Sequence, residues 1–257
     1  MRYFIELSYD GAAYCGWQRQ PDAPTVQQTL EQGLSTLLRE PVETVGAGRT
    51  DTGVNASYYV AHFDCEKGVE NCAQLVYKLN LILPHDVAVK SVREVSGEAH
   101  ARFDAVEREY TYYISQRKNP FRRYSAWQYY VPLDMERMNE AAAKLLEYDD
   151  FTSFAKLNSN NKTNICRVVR AEWRRADDDA DLLVFTIRAD RFLRNMIRAI
   201  VGTLVDVGRG RYTVEDFERI LHSRDLSLSS AGAPAVGLFL SDVKYSDEVY
   251  EIEKCEG

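Results

Sequence analysis

The chain opens on RYFIELSY, Arg2 to Tyr9, followed at once by Asp10-Gly11. Strand-forming side chains running into a turn dipeptide predict a β-strand with a sharp exit. Downstream, TVQQTLEQGLSTLL sets Val26, Leu30, Leu34, Leu37 and Leu38 on one face at helical spacing, with Thr25 and Gln28 placed as a capping box and Pro41 as the stop. Val42 to Val45 and Ser57 to Cys65 predict two strands joined by a glycine-rich loop. Asn71, with Gln74 three residues on, begins a second helix that carries Leu75, Val76, Leu79, Ile82 and Leu83 inward until Pro84. Val87 to Val95 then alternates like a strand. The order β-α-β-β-α-β is that of a ferredoxin-like half.

The remainder reads as a looser version of the same plan. Strands are expected at Glu109 to Ser115 and Trp127 to Val131, a helix at Asp134 to Leu146, strands at Arg167 to Arg174 and Leu182 to Ala189, and a helix from about Asp190 to Val205. A short helix capped by Thr213 and a closing strand at Gly237 to Tyr245 complete the set. The expected class is therefore α+β, two ferredoxin-like α/β halves. The second set of elements begins near residues 101–108, so the domains are expected at 1–104 and 105–257, the latter ending in an acidic tail.

With 257 residues, 45% hydrophobic and 28% charged, the chain has ample core for one large or two small domains. Aromatic content of 11% excludes a disordered chain. No apolar run approaches the roughly 20 residues of a membrane span, since the stretch from Val201 to Val207 is broken by Gly202 and Asp206. The opening residues lack the apolar core of a secretory signal, so a cytoplasmic location is expected. Cys15, Cys65, Cys72, Cys166 and Cys255 form no CxxC pair, and His62, His85, His100 and His222 show no ligand spacing. Reduced thiols and no metal are the expectation.

The 32 basic and 39 acidic residues give −7, but phosphates feel the local field rather than the total. Acid is concentrated at Asp177, Asp178, Asp179 and Asp181 and in the tail from Ser246. Between Arg188 and Arg211 six arginines face two aspartates, and between Arg102 and Arg123 six bases face three acids. Two basic segments thus survive inside an acidic protein.

Three stretches can carry chemistry. Gly46 to Asn55, GAGRTDTGVN, has the spacing GxGxxxxG and precedes a strand, which disfavours a nucleotide-phosphate loop. Its glycines let a ligand approach the backbone and place Arg49 and Asp51 at the tip. Against a catalytic role stands the commoner fate of such an Asp, which is to organise its own turn. In REYTYY, period two puts Arg108, Tyr110 and Tyr112 on one sheet face, where Tyr110 is either a base-stacking ring or an ordinary core residue. From Arg191 to Gly202, helical spacing clusters Arg191, Arg194 and Arg198 opposite Phe192, Met196, Ile197 and Ile200, a phosphate-binding ridge or a solvated face.

These stretches, with YDGAAYCGWQRQ from Tyr9, TVQQTLEQGL from Thr25, HARFDA from His100, DFTSFAK from Asp150, FLRNMIRAIVGTL from Phe192 and AVGLFL from Ala235, resemble the TruA family of tRNA pseudouridine synthases over nearly the whole chain. The resemblance implies two ferredoxin-like halves about a central basic cleft, and isomerisation of uridine to pseudouridine at positions 38, 39 and 40 of the tRNA anticodon arm. It implies no cofactor and a homodimer. It carries over Asp51 as the catalytic aspartate, Arg49 as the residue that helps hold the uridine out of its stack, Tyr110 as the active-site tyrosine and Arg198 as the basic partner of the aspartate. The arginine stripe itself adds Arg194 as an expected substrate-binding cation. Thr52 and Asn55 stand where the family commonly has Ala and His. An RNA-binding protein of the same fold without turnover is the alternative from another class, and a small-molecule enzyme has no cofactor motif to support it.

Overall fold

The computed structural model describes residues 1–156 and 163–250. The tail beyond Tyr250, with its expected acids and Cys255, lies outside them. The chain divides into two compact units, Met1–Glu107 together with the chain from Leu240 onward, and Arg108–Phe239.

The first unit realises the expected order: β1 (Arg2–Tyr9), α1 (Val26–Leu38), β2 (Thr44–Gly46), β3 (Asn55–Asp64), α2 (Cys72–Ile82) and β4 (Val87–Val95). β1 lies between β3 and β4, and β2 pairs with β3, all antiparallel. The sheet order 4-1-3-2 is the ferredoxin-like arrangement, and the hydrogen-bond register sets Ile5 opposite both Ala61 and Val92. Thr25 caps α1 by accepting from the Gln28 N–H at 3.4 Å, and Asn71 caps α2 by accepting from Gln74 at 2.9 Å. Val26, Leu30 and Leu34 are buried as the spacing requires, whereas α2 buries Leu75 and Leu79 and leaves Ile82 exposed. Buried Glu31 fastens α1 to β2 by accepting from the Thr44 N–H at 2.8 Å and from Gln27 Nε2 at 3.0 Å, which removes the desolvation cost of a lone carboxylate.

In the second unit β5 (Ala105–Ser115) and β7 (Val168–Arg175) flank β8 (Leu182–Ala189), antiparallel, and the two-residue β6 (Trp127–Gln128) runs parallel to β5. α3 (Met135–Lys144) packs on β7 and on α4 (Met196–Gly208), and α5 (Val214–Ser223) packs on both helices. The last strand, β9 (Leu238–Tyr245), begins where Phe239 meets the Tyr113 ring edge-on at 5.3 Å, so the order here is β5-β6-α3-β7-β8-α4-α5-β9, a βαββαβ plan with the short β6 and the helix α5 added. From Leu240 the same strand belongs with the first unit, although the sequence reading kept all of it in the second half.

Two elements differ from expectation. The strand foreseen at Trp127 to Val131 is only two residues long. The helix foreseen from Asp190 starts at Met196, because Asn195 takes the left-handed conformation (φ 64), which breaks α-helical continuity and which Asn tolerates better than most side chains. Asp190 meanwhile accepts from the Arg167 and Arg191 N–H groups at 2.8 and 2.7 Å, fixing the segment before the helix as a non-helical approach.

His62 on β3 is buried, accepts from the Ala101 N–H at 3.0 Å through Nδ1 and packs edge-on against His100 at 4.7 Å. Burial, reinforced by the Arg2 and His100 charges, pushes its pKa down to about 4. An unfolded histidine takes its proton near pH 6.5, so between those values the unfolded chain binds more protons and folding stability falls as pH falls. Urea titrations should therefore show a lower midpoint at pH 5 than at pH 7, and His62→Gln, which keeps an acceptor for Ala101, should shrink that difference.

Candidate functional site

The loop between β2 and β3 carries Arg49 and Asp51, and its backbone is held from several sides. Ala47 N–H donates to Val60 O at 2.8 Å, Trp17 N–H to Thr50 O at 3.3 Å, and Val54 N–H to Asp51 O at 3.1 Å. The buried Thr50 hydroxyl bonds the Tyr9 hydroxyl at 2.9 Å. Tyr59 donates to Gly48 O at 2.5 Å while its ring stacks on Trp17 at 4.1 Å, and Tyr9 leans on both rings. A floor of three buried aromatics therefore lies beneath the loop.

The segment from Asp10 to Trp17 is equally constrained. Gly16 has φ 92, and a Cβ there would strike the Thr50 carbonyl oxygen, so only glycine serves. A Cβ on Gly11 would strike Val54 O. The Gly11 N–H donates at 2.8 Å to Oδ1 of Asn55, which is buried. Asn55, which stands where the family commonly has His, thus serves as a buried tie between the β1 exit and the loop and does not face solvent. Between these anchors the loop leaves Asp51 half-buried and Arg49 and Thr52 exposed. Such a placement suits a carboxylate that must reach a substrate while its backbone stays fixed.

The remaining expected residues belong to the second unit. Tyr110 on β5 is half-buried and meets Phe192 edge-on at 5.2 Å, whereas Tyr112 on the same face is fully buried, its hydroxyl donating to Pro234 O at 2.7 Å. Burial pushes the Tyr112 phenol strongly upward, with the Arg198 charge opposing. Arg198, on the first turn of α4, donates through Nε to Ala233 O at 2.6 Å, and the Ala233 N–H returns a bond to Arg198 O at 2.9 Å. Gly202, one turn along, brings Ala231 so close that a Cβ would strike its carbonyl oxygen. The segment Ala231–Pro234 is thereby clamped on α4, and it orients the Arg198 guanidinium.

The arginine ridge expected along one helix is not formed. With α4 beginning at Met196, Arg191 lies in the approach and is half-buried, Arg194 lies in the turn before the helix and is exposed, and only Arg198 is helical. Of the six arginines between Arg188 and Arg211, two are taken up by the buried Asp206, which holds Arg209 at 3.0 Å and Arg211 at 3.2 Å, and Arg188 pairs with Glu109 at 2.8 Å.

The sequence reading missed the aromatic floor and the role of Asn55. Tyr9 and Trp17 stood in view within YDGAAYCGW, but their joint contact with Tyr59 depends on the register of β1 against β3. The described residues hold no cluster of His, Cys, Asp and Glu fit for a metal ion, and no helix among them is long and apolar enough to cross a membrane.

The chain matches the tRNA pseudouridine synthase family over residues 7–104 and 141–246, which takes in the anchored loop and the whole of α4, while β5 with Tyr110, β6 and the start of α3 lie between the matched stretches. It is 52% identical over 252 residues to tRNA pseudouridine synthase A of Bacteroides thetaiotaomicron, covering 98% of this chain and 93% of that protein. It is 50% identical to the protein of that name from Bacteroides fragilis, covering 97% and 98%, and 38% identical to the one from Bacillus licheniformis, covering 96% and 100%. Similarity of this extent, over both ferredoxin-like halves and through the loop that presents Asp51, makes the chain a member of the tRNA pseudouridine synthase family.

Proposed function

We propose that this protein isomerises uridine to pseudouridine at positions 38, 39 and 40 of the tRNA anticodon arm, with Asp51 as the catalytic carboxylate. The observation that carries this reading is the rigid presentation of Asp51, half-buried on a loop anchored by Trp17, Tyr9 and Asn55. The reaction breaks the N1–C1′ bond, turns the uracil and joins C5 to the same sugar carbon, while the C5 proton leaves and N1 gains one. Atoms balance without a co-reactant. An ionised carboxylate meets the positive charge that develops at C1′, as in glycoside hydrolysis.

The other roles follow from side-chain chemistry. A stacked uridine cannot present C1′, so it must be flipped at a cost of a few kcal/mol, and Arg49 fills the space it leaves. Tyr110 stacks on the freed uracil and holds it for reattachment. Arg198 is the basic partner of Asp51, and the clamp at Ala233 supports that role by fixing the guanidinium. Exposed Arg194 meets a phosphate. The protein works as a homodimer in the cytoplasm, with tRNA as its partner and no cofactor.

Asp51→Asn should bind tRNA with unchanged affinity yet form no pseudouridine in a tritium-release assay; turnover equal to the parent protein would refute the catalytic role. Arg198→Ala should reduce kcat far more than tRNA affinity. Arg194→Ala should instead act on binding, lowering the slope of log K against log salt by about 0.9, the contribution of one duplex phosphate contact. Equal effects of the two arginines on kcat and affinity would remove the proposed division of labour.

A further inference from the structure

Between Gln116 and Leu133 the chain carries four cations, Arg117, Lys118, Arg122 and Arg123, and no carboxylate. Within it, Pro120–Arg122 forms a 3-10 turn. Asn119 Oδ1 accepts from the Phe121 N–H at 3.0 Å, and the Arg122 carbonyl takes the N–H groups of Ser125 at 3.2 Å and Ala126 at 3.0 Å. The turn is therefore fixed by its own backbone, and it holds the Phe121 ring outward with 93% of the residue exposed. Tyr124, at 59% exposure, lies beside it with the Arg123 guanidinium 4.6 Å over its ring. Arg117 pairs with Asp181 at 3.2 Å, but among the described residues Lys118, Arg122 and Arg123 have no carboxylate at ion-pair distance.

An outward aromatic ring on a fixed turn, bracketed by cations that pair with no carboxylate among the described residues, is the arrangement that takes an unpaired base on its face and the flanking phosphates on its sides. We propose that Arg117–Tyr124 is an RNA-contact surface, in which Phe121 stacks on an unpaired tRNA base while Lys118, Arg122 and Arg123 meet the adjoining phosphates. The inference rests on tRNA being the substrate. A second copy of the chain fits less well, since a two-fold contact through this turn would set its cations against their own symmetry mates with no acid in the segment to offset them.

Filter binding of an unmodified tRNA transcript over a range of salt tests this. Phe121→Ala, at a solvent-exposed position, should weaken binding about tenfold, the scale of one lost base–aromatic stack, and leave the salt slope unchanged. The Arg122→Gln/Arg123→Gln double variant should lower the slope by about 1.4, two single-strand phosphate contacts at roughly 0.7 each. Ultraviolet crosslinks from the parent protein should map to Phe121 or Tyr124. Unchanged affinity and slope in both variants overturns the surface while the parent protein and Asp51→Asn still bind tRNA; failure of those two proteins to bind overturns the tRNA reading itself. A change of sedimenting mass in Phe121→Ala with full tRNA affinity would reassign the turn to self-association.

Discussion

Thr50 is fixed twice, by its carbonyl at the Trp17 N–H and by its hydroxyl at Tyr9, and both partners lie in or next to the segment that leaves β1. That double attachment is possible because Gly16 has no Cβ and a positive φ, so two backbones meet at a separation that any other residue would forbid. The placement of Asp51, one residue further on, follows from it. A polar network of this kind is stable only when every member is satisfied, and the buried Asn55 amide completes it by taking the Gly11 N–H that would otherwise be left unpaired. The tie needs only a short side chain that presents an acceptor, which the Asn55 carboxamide supplies.

In the second unit the corresponding constraint is the left-handed Asn195. Ending the approach segment there, and not letting a helix run from Asp190, frees Phe192 to meet Tyr110 edge-on and leaves Arg198 on the first turn of α4. At a helix start the side chains sit where the backbone N–H groups are still unshared, a place suited to anions. Arg198 is kept from swinging by a carbonyl that belongs to Ala231–Pro234, and the closeness of that segment depends on Gly202.

Much of this was legible in the chain itself. Apolar periodicity and caps predicted α1, α2 and the first-unit strands, because amphipathic faces and the side chains of Thr25 and Asn71 act locally. The spacing GxGxxxxG ahead of a strand was legible as well, and β3 does follow the loop where a dinucleotide fingerprint would open a helix. What it could not give was anything set by register or by a single dihedral. The stack of Trp17 on Tyr59 needs residues 42 apart in sequence to meet, and the helix start at Met196 turns on one backbone angle inside a run whose spacing is helical throughout. Ile82 and Leu37 obey the same period as their neighbours yet are not fully buried, since periodicity names a face and the neighbouring element decides how much of it is covered.

Charge shows the same separation between what composition states and what geometry decides. The chain is acidic by seven, yet acids and bases do not cancel evenly. Asp206, buried at the end of α4, accepts two arginines from the turn that follows and so uses them to close the helix. Glu109 on β5 takes Arg188 from β8 and Arg170 from β7, bracing three strands at one level of the sheet. These cations are structural, because each sits beside a carboxylate whose own desolvation it offsets. Arg198 is held differently: its Nε donates to the neutral Ala233 carbonyl, which orients the guanidinium without cancelling its charge. An arginine held in that way is oriented with its charge uncancelled, and where such residues lie, more than the sum over the sequence, decides the local field a polyanion would meet on a net negative protein.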